Sequence, residues 1–141
     1  MNPTKFTLRN VRIFHAVFLL TMFLYIFVLG LIRPTDQPVQ PMIMFAFAFF
    51  ALGDLGVALF VRSRKVQASE EKLRMHPNDP AALNQWRLGM IGSFVFAETI
   101  ALLGFVLRFL GAQWKIAGSF FAFAILLMLL WTPRLDVPEA R

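Results

Sequence analysis

The chain has 141 residues, of which 58% are hydrophobic and only 16% are charged, and its formal net charge at pH 7 is +6. Soluble domains carry about 25% charged residues, so the surplus of apolar residues must face something other than water. The absence of cysteine excludes disulfides, thiolate metal sites and a cysteine nucleophile. The basic residues stand beside long uncharged runs, which indicates orientation in a bilayer and not binding to nucleic acid.

Four apolar segments follow one another along the chain, each nearly free of charge. The first lies between Arg12 and Arg33 and contains 20 residues, which as helix cover about 30 Å, the thickness of one hydrocarbon core. Transmembrane helices are predicted at these positions: about 13–32, 42–61, 88–107 and 116–131. The sequence therefore predicts an all-α integral membrane protein, a single membrane domain built as an antiparallel four-helix bundle.

Residues 62–87 form the one long polar connection, and its sequence predicts a helical hairpin tip. Pro77 should end the first arm, because the residue before a proline is pushed out of the helical region. Asn78 or Asp79 then caps a new helix with Pro80 at its first position. We expect the second and third transmembrane helices to form a central hairpin that extends into the cytoplasm.

The distribution of basic residues predicts the orientation. The N-terminus, the 62–87 connection and the C-terminus together hold 11 lysines and arginines, whereas the two short turns hold three. Cytoplasmic loops carry an excess of Lys and Arg. The sequence thus predicts a multi-pass protein of the plasma (inner) membrane with both termini in the cytoplasm.

Two carboxylates interrupt the apolar segments. Glu98 lies 11 residues beyond Arg87, about 16 Å into the membrane. Asp54 lies eight residues before Arg62, about 12 Å from the same boundary. An ionised carboxylate in hydrocarbon is costly, so such a group is protonated, paired or bound to a cation. The two carboxyls could share a proton if they face each other; alternatively, Glu98 serves only as a hydrogen-bonding contact between helices.

The third apolar segment also carries a ridge of small residues. Such a ridge allows helices to approach closely in lipid, where van der Waals contact replaces the hydrophobic driving force. Packing within the molecule is the simpler interpretation, and packing against another copy is the alternative. The ridge comprises Gly89, Ser93, Ala97, Ala101 and Gly104.

Residues 92–107 (GSFVFAETIALLGFVL) resemble the second helix of the proteolipid c subunit of F- and V-type rotary ATPases, and a weaker likeness covers about 74–107. In that family an Ala-Glu pair precedes a similar run. The resemblance implies that Glu98 carries a proton or sodium ion and that Thr99 assists. It further implies that Asp54 replaces the family's sodium-binding glutamine. The phenylalanine-rich second segment differs from the family's glycine ladder, so the ion site is carried over and the rotor is not.

Three other residues have simpler interpretations. His15, one turn inside the first segment, is a candidate proton relay or haem ligand, but extension of its side chain towards the cytoplasmic interface is the favoured interpretation. Arg108 and Trp114 are interpreted as interfacial anchors.

These observations predict a small membrane protein that binds a proton or cation through Glu98. The alternative is an accessory subunit of a larger respiratory, photosynthetic or transport complex. An enzyme is disfavoured, since there is no Ser/His/Asp set, and neither a metal nor a cofactor is predicted. The expected partners are the lipid bilayer and other membrane subunits or copies of the same chain.

Overall fold

The computed structural model describes residues 3–135, and this part of the chain is helical, without a strand. Residues 136–141, including the basic Arg141 of the orientation argument, lie outside it. Five α-helices and a π-helical segment (Arg62–Gln67) follow in chain order. The α-helices are α1 (Pro3–Ile32), α2 (Pro41–Val61), α3 (Ala68–Met75), α4 (Pro80–Phe109) and α5 (Trp114–Leu130).

The helix boundaries follow from local chemistry. Helix α3 ends at Met75, two residues before Pro77, as predicted. The side chain of Asp79 accepts a hydrogen bond from the backbone N–H of Ala81, and Pro80 occupies the first position of α4. The sequence-predicted cap of this helix is therefore confirmed, with Asp79 as the capping residue.

Three helical stretches have the length and apolar composition needed to cross a membrane. They are α1, the continuous helix Pro41–Met75 and α4, while α5 is apolar but shorter, with 17 residues. The segments predicted at 13–32, 42–61 and 88–107 lie within the three long helices, and the fourth coincides with α5 to within two residues.

Helix α4 lies at the centre of the molecule. It packs against α1, α2 and α5, whereas the backbone of α2 does not closely approach that of α1 or α5 in the described part of the chain. In the apolar 18-residue stretch of α4, 44% of the residues are buried. The corresponding share is 11% in α1 and in the helix Pro41–Met75. The fold is therefore a set of helices arranged around α4 rather than a closed bundle in which every neighbour touches.

The polar connection forms a compact helical head. The π segment directs Val66 inwards, and α3 adds Leu73. These side chains are buried together with Val11 of α1 and Trp86 of α4. The hydroxyl of Thr4 donates to the carbonyl oxygen of Pro77 (3.1 Å) and joins the start of α1 to the hairpin tip.

Candidate functional site

Glu98 lies at the interface between α4 and α1. Its carboxylate oxygen Oε1 accepts a hydrogen bond from the hydroxyl of Tyr25 on α1, with an O···O distance of 3.1 Å. The ring of Tyr25 packs against that of Phe105, with ring centroids 5.3 Å apart. Tyr25 is therefore the one hydrogen-bond partner of the Glu98 carboxyl group within residues 3–135.

Asp54 lies at the same level as Glu98 and Thr99 on the neighbouring helix. A Cβ atom at Gly92 would lie 3.7 Å from Val61 Cγ1, which fixes the register of the antiparallel helices α2 and α4. Asp54 lies seven residues before Val61 in α2, and Thr99 lies seven residues after Gly92 in α4. Since both helices rise about 1.5 Å per residue, these two positions lie opposite each other.

The helical periodicity gives the direction in which Asp54 points. Ala58 is the buried residue of α2, and Asp54 lies one turn earlier on nearly the same face. Leu52 lies towards α5, because it lines a cavity there with Phe120 and Phe123. The side of α2 that faces α4 has one edge towards α5, where Leu52 lies, and one edge away from it. By helical periodicity Asp54 lies on the edge away from α5.

Beyond that edge, α4 is open between α1 and α2. The backbones of these two flanking helices do not closely approach each other in the described part of the chain. Val95, Leu102 and Val106 of α4 are exposed between them, and we call this stripe the α1–α2 groove. Glu98 and Tyr25 lie on the α1 side of the groove, and Asp54 lies on the α2 side.

The predicted site residues are thus at one level but are not joined by hydrogen bonds. Within residues 3–135, Asp54 has no hydrogen-bond or salt-bridge partner. The hydroxyl of Thr99 donates to the carbonyl oxygen of Val95 in its own helix (3.0 Å) and not to Glu98. A proton shared between Glu98 and Asp54 stays a prediction.

Tyr25 is a residue of this candidate site that was not identified from the sequence. It is the only tyrosine in the chain, and α1 and α4 run in the same direction. Tyr25 lies eight residues before Arg33, and Glu98 lies ten residues before Arg108. The sequence therefore predicts that the two residues lie at a similar depth, but it does not predict that their side chains face each other.

The small-residue ridge of α4 packs inside the molecule, and all five of its residues are buried. A Cβ at Gly89 would lie 2.9 Å from Lys65 Cβ and from a methyl carbon of Val66. At the other end, a Cβ at Gly104 would lie 2.7 Å from Phe120 Cβ. The ridge therefore serves the π segment at one end and α5 at the other.

His15 does not stand free as a ligand. Its Nε2 lies 2.8 Å from the carbonyl oxygen of Met128 in the last turn of α5. Because a carbonyl only accepts, the ring donates this bond through Nε2–H. The last carbonyls of a helix lack intrahelical partners, so the histidine completes the C-terminal end of α5, and its extension towards the cytoplasmic interface stays a prediction.

Arg108 is buried (5% exposed) and bonded within the protein, and its role as an interfacial anchor stays a prediction. Its Nη1 donates to Asp36 Oδ1 (2.6 Å) and to the carbonyl oxygen of Ala112 (2.8 Å), and Nη2 donates to the carbonyl oxygen of Pro34 (2.6 Å). The guanidinium also lies over the ring of Trp114. These contacts hold the α1–α2 connection against the turn between α4 and α5.

The described residues contain no group of three or more His, Cys, Asp or Glu side chains that could hold a metal ion. Comparison of the chain with protein-family models, curated proteins and solved structures gives no match. The chemistry of the groups around Glu98 is therefore the basis for a functional proposal.

Proposed function

We propose that this chain is a multi-pass membrane protein in which Glu98 binds a proton or a monovalent cation. The membrane setting is supported by the large apolar side chains on the outside of the helices. Phe45 and Phe49 are 76% and 74% exposed, and Leu20 and Leu130 are both 69% exposed. Exposed apolar surface on this scale needs lipid to cover it.

We further propose that all four apolar helices cross the plasma (inner) membrane. The basic residues then place both termini and the helical head on the cytoplasmic side. Helix α5 is short for a full crossing, but Trp114 at its start and Trp131 immediately after it are suited to the two interfaces.

The observation that carries the ion-binding proposal is the hydrogen bond from Tyr25 to Glu98. A carboxyl group within an apolar helix is a functional hypothesis by default, and here a single phenol holds it at the border of the α1–α2 groove. Asp54, at the same level and without a partner in the described residues, supplies a second acidic group that can share a proton or contribute an oxygen ligand.

The likeness to the c subunit of rotary ATPases supports the role of Glu98 and not an assembly into a rotor ring. The partner of Glu98 comes from α1, which lies outside the α2–α4 hairpin whose sequence resembles the c subunit. Helices α1 and α5 also cover two sides of α4. We therefore propose an ion site within one chain.

Reaction with a hydrophobic carbodiimide tests this proposal. The reagent modifies protonated carboxyl groups that are accessible from lipid, and mass spectrometry of proteolytic fragments identifies the modified residue. We expect labelling of Glu98 in isolated membranes, with a rate that falls as the pH is raised. Slower labelling of Glu98 when sodium is added at constant pH would identify a sodium site. Labelling that depends on pH but not on sodium would identify a proton site.

Two variants control this experiment. Glu98→Gln should remove the labelled fragment, and Asp54→Asn should change the rate at Glu98 without removing it, because Asp54 borders the same groove. A protein with no labelled carboxyl at any pH, although recovered in membranes, contradicts the proposal.

A role as accessory subunit of a membrane complex is the second candidate, and the exposure of α2 favours it. Ala58 is the buried residue of this helix, and an apolar cavity of about 450 Å³ separates α2 from α5. Purification in mild detergent should then recover a defined partner, and Glu98→Gln should leave that association intact. Recovery of the chain alone contradicts this second function.

A further inference from the structure

Arg62 stands where the apolar part of α2 ends and the π segment begins. Its guanidinium lies over the ring of Trp131, with 5.0 Å between Cζ and the ring centroid. Its Nη1 lies 3.5 Å from the sulfur of Met90. Trp131 is itself 7% exposed and directly follows α5. Arg62 is thus held in place at the level where α2 and α5 both leave the apolar layer.

The hydrogen-bonding capacity of Arg62 is largely unused. A guanidinium carries five N–H donors, and a thioether sulfur is a weak acceptor. No carboxylate within residues 3–135 lies within salt-bridge distance of Arg62. Glu70 attracts Arg62 electrostatically, but its Oε1 accepts a hydrogen bond from the indole of Trp86 (3.1 Å).

Arg108, at the opposite end of the molecule, provides the contrast. Its two terminal nitrogens donate to one carboxylate and two carbonyl oxygens of the protein. Arg62 has the same type of aromatic platform but lacks these acceptors. An oriented cation with free donors at the end of an apolar layer is suited to an anionic group supplied from outside the chain.

We propose that Arg62, held on Trp131, binds the phosphate of an anionic phospholipid headgroup. The planar fork of arginine matches two phosphate oxygens, and tryptophan is enriched at the headgroup level. Arg64 and Lys65 are exposed on the same π segment and strengthen the attraction of an anionic surface. The inference rests on the proposed membrane insertion but not on ion binding by Glu98.

Native mass spectrometry of the full chain in detergent tests the proposal by counting bound lipids. The protein is titrated with phosphatidylglycerol and, separately, with zwitterionic phosphatidylcholine. We expect one phosphatidylglycerol to bind preferentially and Arg62→Gln to weaken this binding about tenfold, since a charge-assisted hydrogen bond contributes on this scale. Arg64→Gln is the matched control: it removes the same charge from a side chain that is exposed and lies over Phe60. We expect the control to weaken binding less than about threefold.

Arg62→Lys separates the contribution of the planar guanidinium from that of the charge, because lysine keeps the positive charge but lacks the paired N–H donors. We expect it to lose most of the preference, as Arg62→Gln does. Equal weakening by Arg62→Gln and Arg64→Gln would overturn the site in favour of diffuse attraction, and so would full binding by Arg62→Lys. Displacement of the lipid by inorganic phosphate at matching concentration would overturn a lipid-specific site.

The same preparations distinguish a failure of this inference from a failure of the proposed function. Recovery of the chain in the soluble fraction would contradict both. Normal carbodiimide labelling of Glu98 combined with no preference for phosphatidylglycerol would contradict the lipid site alone.

Discussion

The hydrogen bond between Tyr25 and Glu98 links α1 to α4, and neither side chain has a salt-bridge partner within residues 3–135. The measured value of such interhelical bonds in membranes averages about 0.6 kcal/mol and reaches about 1.7 kcal/mol, because the unfolded state in lipid also finds partners. The bond is therefore a modest contribution to stability. Its larger consequence is to fix the position of the carboxyl group beside the α1–α2 groove.

A double-mutant cycle with Tyr25→Phe and Glu98→Leu isolates this interaction, because leucine removes the acceptor oxygens and glutamine would keep one. We expect Tyr25→Phe to lower the free energy of unfolding in mixed micelles by about 0.5–1.5 kcal/mol. The two changes together should cost less than their sum, because each removes the same bond. Thr21→Val is the matched control on α1, since the hydroxyl of Thr21 donates only to Val17 in its own helix. Strict additivity would show that the two side chains do not interact.

The positions of the glycines on α4 and α5 determine how closely these two helices approach each other. Gly104 is buried against Phe120 and the carbonyl oxygen of Ala117, where an added Cβ would lie 2.7 Å and 3.0 Å from its neighbours. Gly118, on the partner helix, has open space around its Cβ position. The two glycines differ in surroundings although both lie within helices.

Alanine at these two glycines should therefore have different effects. We expect Gly104→Ala to destabilise the protein by roughly 1–3 kcal/mol, because α5 must move away from α4. Gly118→Ala should be neutral or stabilise by less than about 1 kcal/mol, since alanine is the better helix former. Unfolding in mixed micelles measures both. Equal losses at the two positions would contradict the close approach at Gly104.

The helix positions and ends were predictable because they depend on local sequence. Pro80 and the Asp79 cap fix the start of α4, and the uncharged runs fix the long helices. The central position of α4 was not predictable, because it depends on which faces meet across the molecule. Tyr25 was not predictable as the partner of Glu98 for the same reason, because the sequence indicates the depth of Tyr25 but not the direction in which its side chain points. The hydrogen bonds of Arg108 were not predictable either, because Asp36 and Pro34 come from a connection distant in the sequence.

The two ends of the protein differ in charge and in construction. One end carries the helical head with its exposed basic side chains, such as Arg64 and Lys72. The opposite end carries two short turns joined by the salt bridge between Arg108 and Asp36. An asymmetry of this kind is what the positive-inside rule describes, and the head belongs on the cytoplasmic side if the chain is inserted as proposed.

Single-cysteine labelling tests this orientation without a background, because the chain has no cysteine of its own. Thr35→Cys and Gln67→Cys place a thiol at an exposed position at each end of the molecule. In intact cells, a membrane-impermeant maleimide should modify the thiol at position 35 and reach position 67 only after permeabilisation. The reverse pattern would place the head outside the cell, and labelling of both thiols in intact, sealed cells would contradict a fixed transmembrane orientation. Because Arg62 and the head share one end, a reversed orientation would also move the proposed phospholipid site to the outer leaflet.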